Sequence, residues 1–265
     1  MFYIDRGRGP VFLLIHGMFG DHLDWAPVIA PLAEHHRVIA VDLPGFGDSE
    51  KPDIEFTPAF FTAELNRLLD SLGVASCTVV GNSFGGQLAM ALALDAPERV
   101  ERLVLITTGS LHRYTAQELQ FSADRMSEAN LIQFTPAYHA AIFGRLFYNP
   151  DAPHKAAYIA KQDAKLLRPD YPAYARIISR CARLSLEYCL LEEIHRIGAP
   201  VLLLQGEQDP IVSAQWIRAA APLFPDATLA MIPECGHIPQ IEIPDKVIGL
   251  VEQFLSRTSA VSPAV

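Results

Sequence analysis

Residues Thr78-Val79-Val80-Gly81-Asn82-Ser83-Phe84-Gly85-Gly86 decide the fold. An apolar run that reads as a strand enters a G-x-S-x-G pattern, and a helix-forming run, Gln87 to Leu94, follows at once. The order is strand, sharp turn, helix, with a serine at the apex. Such a turn forces Ser83 into a strained backbone conformation. Gly81 and Gly85 flank it because side chains there would collide where strand and helix pass close together. The strain lifts the hydroxyl off the sheet edge, and the unpaired N–H groups at the start of the helix can face a developing negative charge. The same pattern also occurs in glycine-rich turns with a solvated serine. A nucleophilic Ser83 therefore requires a base and an acid elsewhere in the chain.

The strands on either side of this stretch share its character. Val11-Phe12-Leu13-Leu14-Ile15, Val38-Ile39-Ala40-Val41, Leu103-Val104-Leu105-Ile106 and Val201-Leu202-Leu203-Leu204 are continuous apolar runs. Runs of this kind suit strands buried on both faces, as in a parallel sheet. Phe2 to Asp5 and Leu229 to Ile232 read as further strands. Helices are expected between them: Trp25 to His35, a helix opened by Thr57-Pro58 and capped by Gly73, Ala214 to Leu223, and a closing amphipathic helix through Val247, Ile248, Val251, Phe254 and Leu255. The alternation argues an α/β fold, a mostly parallel doubly wound sheet of about seven or eight strands. It breaks between Gly109 and Ile197, where helical periodicity and frequent aromatics occur without a convincing strand. That segment reads as a helical cap. The expected organisation is a core of residues 1–107 and 198–265 with a cap at 108–197. The tail from Ser256 to Val265 reads as frayed.

Composition narrows the function classes. The chain has 265 residues, of which 50% are hydrophobic and 19% charged, enough for one large core with an insertion. The net charge of -9 and the absence of a Lys/Arg run argue against a nucleic-acid partner. No apolar run reaches the roughly 18 residues of a membrane helix. Asp5, Gly7 and Gly9 interrupt any signal-peptide core. Cys77, Cys181, Cys189 and Cys235 lack metal-type spacing and read as reduced thiols of a cytoplasmic protein. A homodimer is compatible with this composition.

Three chemistry-bearing residues occupy equivalent places. Ser83, Asp209 and His237 each follow a buried strand at its C-terminal end, where open parallel sheets bind ligands. A serine hydroxyl is a poor nucleophile at neutral pH. An imidazole titrates near neutrality and can take the proton and return it to a leaving group. A carboxylate behind it fixes the tautomer and stabilises the imidazolium. A tetrahedral oxyanion needs two N–H donors, and the backbone of Phe84 and of Met18 is placed to supply them.

With these pieces quoted, the chain resembles the α/β-hydrolase fold superfamily over nearly its whole length. The matching motifs are His16-Gly17, Asp42-Leu43-Pro44-Gly45-Phe46-Gly47-Asp48-Ser49, Gly81-Asn82-Ser83-Phe84-Gly85-Gly86, Gly206-Glu207-Gln208-Asp209, and Gly236-His237 followed by Pro239. The resemblance implies nucleophile, acid and base at Ser83, Asp209 and His237, oxyanion donors at Met18 and Phe84, a helical cap, and no metal or organic cofactor. It also implies that His16 braces the oxyanion loop. Members of the family usually carry two strands before the one ending in His-Gly. Here only Met1 to Asp5 precedes the turn, so the first strand is expected to be missing or very short.

Other residues compete for these roles. Asp42 also ends a strand and is an alternative acid. His22, His35, His36, His112, His139, His154 and His195 show no partner pattern and read as solvated or packed. Trp25, Phe143 and Phe147 are candidates for substrate contact, against the plainer reading of core aromatics. The serine at the elbow argues against dehalogenases and epoxide hydrolases of this fold, which use aspartate there. The expected function is a serine hydrolase of small or medium carboxylic esters, acting through an acyl-enzyme on Ser83. One alternative is a carbon–carbon hydrolase of ring-cleavage dienoates, with Arg180 or Arg183 holding an acidic substrate. That group usually has Trp after the catalytic His, and Ile238 stands here. A non-catalytic ligand receptor on the same fold is the remote alternative.

Overall fold

A computed structural model describes residues 1–259 of the chain. Its strands are β1 (Phe2–Arg6), β2 (Val11–Ile15), β3 (Arg37–Asp42), β4 (Cys77–Asn82), β5 (Val100–Ile106), β6 (Val201–Gly206) and β7 (Ala227–Ile232). Its α-helices are α1 (Ala26–Leu32), α2 (Pro58–Ser71), α3 (Phe84–Asp95), α4 (Ala116–Arg125), α5 (Glu128–Leu131), α6 (Pro136–Gly144), α7 (Lys155–Leu166), α8 (Tyr171–Glu187), α9 (Ala214–Ala220), α10 (Pro239–Glu242) and α11 (Pro244–Ser259). The strands form one sheet in the order β1-β3-β2-β4-β5-β6-β7, all parallel except β1, which runs antiparallel to β3. A single strand precedes β2 among the described residues.

The continuous apolar runs are explained by the two layers they feed. Side chains alternate across a strand. Leu13 and Ile15 of β2 pack with Ile39, Val41, Leu103 and Leu105 under α2 and α3, while Phe12 and Leu14 pack with Val38, Ala40, Val104 and Ile106 against α1 and α11. Both faces are buried, so neither position can be polar.

From β2 the chain goes to β3 on one side, then returns to β4 on the other. The ends of β2 and β4 therefore diverge, and the crevice between them is where His16-Gly17 and Asn82-Ser83 meet. Between β5 and β6 the chain forms the helical insertion α4–α8. No helix of the described residues is long and apolar enough to cross a membrane.

Several boundaries differ from those read in the sequence. The helix expected over Trp25–His35 is a 3-10 turn, His22–Trp25, followed by α1. Asp21 starts it early by accepting from the Leu23 N–H at 3.0 Å. The helix expected to Leu223 stops at Ala220 and continues as a 3-10 turn, because Pro222 has no N–H to donate. Residues 256–259 complete α11 rather than fray. The remainder of the expected tail, 260–265, lies outside the described residues.

Candidate active site

Ser83 stands between β4 and α3 with φ 52° and ψ -112°, in the strained region the elbow pattern requires. The close approach is severe. A Cβ on Gly81 would lie 2.3 Å from the Gly85 carbonyl oxygen, and one on Gly85 would lie 2.1 Å from that of Ile15. The Ser83 N–H donates to the Ile106 carbonyl at 2.9 Å, which pins the apex to β5.

His237 follows β7. Its Nδ1 is 2.8 Å from Asp209 Oδ2, and its Nε2 has no partner among the described residues. Both Ser83 and His237 line one cavity. The other Asp209 oxygen, Oδ1, accepts from the N–H groups of Ile211 at 2.7 Å and Val212 at 3.0 Å. Gln205 Nε2 lies 3.2 Å from Oδ2. Burial would raise the Asp209 pKa, but the His237 ring and these N–H donors outweigh it and hold the carboxyl below its ordinary value.

The main chain of His237 is fastened at both ends. Its N–H donates to the Leu146 carbonyl in the insertion at 2.7 Å, and its carbonyl accepts from Thr107 Oγ1 at 2.7 Å and Asn82 Nδ2 at 3.3 Å. Glu242, 4% exposed, accepts from the Gly236 N–H at 2.8 Å and from the Asn149 N–H at 2.7 Å, and so joins the histidine loop to the insertion. Sequence reasoning missed Asn82, Thr107, Gln205 and Glu242. Thr107 carried a usable signal, since it directly follows a buried strand. Glu242 carried none.

Met18 lines the same cavity, and the direction of its N–H has an identifiable cause. Leu43 N–H donates to His16 Nε2 at 3.1 Å, so His16 carries its proton on Nδ1 and donates it to the Gly17 carbonyl at 2.8 Å. The Gly20 N–H donates to the same carbonyl at 3.0 Å. Because a trans peptide points its C=O and N–H in opposite directions, the Met18 N–H is turned away from His16. It has no acceptor among the described residues, and neither does the N–H of Phe84 at the first position of α3. Burial pushes His16 below the ordinary imidazole pKa and keeps it neutral, as this arrangement needs.

The remaining candidates separate cleanly. Asp42 is fully buried but serves its own loop, accepting from the His22 ring at 2.9 Å, the His22 N–H at 2.6 Å and the Asp48 N–H at 2.7 Å. His22, read as having no partner, is therefore paired. Phe143 lines the cavity. Phe147 does not; it packs on Tyr158 with the Lys155 ammonium over its ring. Trp25 does not either; it is 1% exposed and lies in the core layer of α1 and α11. Arg180 pairs with Asp53 and Arg183 with Glu55, away from the cavity. The cavity encloses about 350 Å³, and its insertion-side walls include Met126, Phe134, Ile142, Phe143, Leu146 and Tyr158. No group of three or more His, Cys, Asp or Glu side chains among the described residues is arranged to hold a metal ion.

Residues 10–244 match the alpha/beta hydrolase fold family. A 2-hydroxymuconate semialdehyde hydrolase of Pseudomonas putida is 32% identical, over 97% of this chain and 90% of its own. A pimeloyl-[acyl-carrier protein] methyl ester esterase of Nitrosospira multiformis is 28% identical, over 94% of this chain and 95% of its own. The crystal structure of a probable hydrolytic enzyme from Pseudomonas aeruginosa superposes with a TM-score of 0.87 at 29% identity, covering 96% of this chain and 88% of that one. The elbow, the crevice, the sheet order and these matches agree, and the chain belongs to the alpha/beta hydrolase fold family.

Proposed function

We propose that the protein is a serine hydrolase of carboxylic esters with small or medium acyl groups. The observation that carries this reading is the His237–Asp209 pair opening onto the same apolar cavity as Ser83. His237 Nε2 takes the Ser83 hydroxyl proton as Oγ attacks the ester carbonyl. The carbonyl oxygen becomes an oxyanion facing the Met18 and Phe84 N–H groups. Collapse breaks the bond to the alkoxy group, which leaves with the proton from His237, and the acyl group remains on Ser83. Water then attacks, giving its proton to His237. The acid departs as Ser83 recovers its proton.

Hydrolysis of a short p-nitrophenyl ester by wild type and by Ser83→Ala tests this. Activity that disappears with Ser83 supports the reading, and activity retained in Ser83→Ala refutes it.

Carbon–carbon hydrolysis of a ring-cleavage dienoate is a second reading. It is favoured by the name of the Pseudomonas putida relative and opposed by Ile238, which lines the cavity where that group carries Trp. Turnover of a dienoate with ester hydrolysis absent would replace the first reading with this one.

A further inference from the structure

The turn that presents the Met18 N–H is held partly from outside the core. It runs from Gly17 to Gly20, closed by the Gly20 N–H on the Gly17 carbonyl at 3.0 Å. Phe19 is its third residue and has φ 62°, a left-handed conformation that glycine adopts freely and phenylalanine does not. Something must hold Phe19 there. Two contacts do, and both come from the helical insertion. The Phe143 ring of α6 meets the Phe19 ring edge-on at 5.4 Å, and Lys165 Nζ of α7 donates to the Phe19 carbonyl.

Lys165 is itself fixed in place. Its ammonium lies 2.9 Å from Asp21 Oδ2, and its side chain is 12% exposed. Lys161, one turn earlier on α7, bonds the other Asp21 oxygen at 3.0 Å and also bonds Asp24. Asp21 Oδ1 in turn accepts from the Leu23 N–H. The tyrosine rings of residues 158 and 174 lie beside the two ammonium groups, at 5.2 Å and 5.8 Å. Burial would raise the Asp21 pKa, but Lys165 and Lys161 overcome it and hold the carboxyl well below the usual range. Removing one partner of pairs this well buried leaves an uncompensated charge, which exposed pairs do not suffer, so the Lys165 ammonium stays with Asp21.

We propose that Lys165 is a positioning residue that clamps the Gly17–Gly20 turn from α7, so that the oxyanion donor Met18 is presented only while the helical insertion is docked. The inference rests on Met18 being an oxyanion donor. Lys161, Asp21 and Asp24 form the anchor that aims Lys165. On the core side His16 holds the Gly17 carbonyl of the first peptide, the Gly20 N–H of the last peptide bonds the same carbonyl, and Lys165 holds that last peptide by its Phe19 carbonyl. Loss of the clamp lets Phe19 relax out of its left-handed conformation and breaks the Gly20 N–H bond to the Gly17 carbonyl, which leaves the Gly17–Met18 peptide held by His16 alone and free to turn its N–H from the oxyanion position. Substrate binding, carried by the apolar walls, is little affected.

Amide hydrogen exchange of the full-length chain, together with ester kinetics, tests this in wild type, Lys165→Met, Lys165→Arg and Lys161→Met. Lys165→Met is expected to speed exchange at the Gly20 amide by about tenfold and to lower kcat by about tenfold with KM within about twofold. Lys165→Arg, which keeps a donor at that reach, restores both. Lys161→Met lowers the unfolding midpoint but leaves Gly20 exchange closer to wild type than Lys165→Met does. Unchanged Gly20 exchange in Lys165→Met overturns the proposal, as does a higher KM with unaltered kcat. If Lys165→Met does not fold, Lys165→Gln is judged by the same two criteria. A wild type that hydrolyses no ester refutes the acyl-enzyme reading instead, and the exchange measurement then decides the clamp by itself.

Discussion

Thr107 Oγ1 donates to the carbonyl of His237 at 2.7 Å, across 130 positions of sequence. Asn82 Nδ2 reaches both partners, Thr107 Oγ1 at 2.8 Å and the His237 carbonyl at 3.3 Å. The residue before the proposed nucleophile and the residue after β5 thus hold the main chain of the proposed base. Thr107 does this at φ 46°, which a β-branched side chain rarely adopts. Backbone strain of roughly 1–3 kcal/mol persists only where the surroundings hold it. Thr107→Val keeps the shape and removes the hydroxyl. It is expected to lower kcat by about tenfold with KM nearly constant, and to cost about 1–3 kcal/mol in urea unfolding for the buried carbonyl left under-bonded. A wild-type kcat would show that the His237 loop is held without Thr107.

Asp209→Asn should be far more damaging, and the hydrogen bonds say why. The Ile211 and Val212 N–H groups require an acceptor at the Oδ1 position. The new amide must therefore place its oxygen there and its NH2 toward His237 Nδ1. That group can only donate, so the imidazole is forced to carry its proton on Nε2, the nitrogen meant to accept from Ser83. The expected loss is about 10⁴ in kcat. Steady-state kinetics on a p-nitrophenyl ester measure it. Near-wild-type activity would remove Asp209 from the proposed triad, and Asp42 could not replace it while engaged with His22 and Asp48.

The stability of the fold should depend on pH through its buried imidazoles. Burial is the largest cause that lowers the pKa of His16, His36 and His139. Each is neutral in the fold and takes a proton more readily when unfolded. The unfolded chain therefore binds more protons below about pH 6.5, so stability is fully present above that value and declines as pH falls below it. His139 is the cleanest probe. It is 3% exposed and lies edge-on to Phe134 and Phe143, and the Asp163 carboxylate, 3.4 Å from its Nδ1, favours the charged ring but does not outweigh the burial. His139→Phe should raise the urea midpoint more at about pH 5 than at about pH 8. Equal gains at both values would mean that His139 does not contribute to the pH dependence.

What could be read in the sequence depended on whether a residue's role is local. The strands were legible because burial on both faces leaves no polar position, as in Val11 to Ile15. Ser83 was legible because the glycines around it answer a steric demand within a few residues. The positions of Asp209 and His237 followed from strand ends. Trp25 and Phe147 stayed open between pocket wall and core because a large aromatic looks the same in both; only the side of the layer it enters decides, and that is tertiary. His22–Asp42, Lys165–Phe19 and Glu242–Asn149 were invisible for the same reason. Each joins segments with no common period or motif.

The acyl preference can be predicted from the cavity walls. Met126, Phe134, Ile142, Phe143 and Leu146 enclose much of about 350 Å³ beside Ser83. Each methylene buried there should gain about 0.8 kcal/mol, or roughly fourfold in kcat/KM, until the space is filled. A series of p-nitrophenyl esters should therefore rise with acyl length and then fall. Ile142→Ala enlarges the cavity without touching the Phe19–Phe143 contact or the Leu146 carbonyl that holds His237, so it should move the maximum to longer acyl groups. A flat series in wild type would mean that the acyl chain binds outside these walls. A rise that Ile142→Ala leaves unmoved would place the chain along another wall of the same cavity, toward Ile238 and Val212.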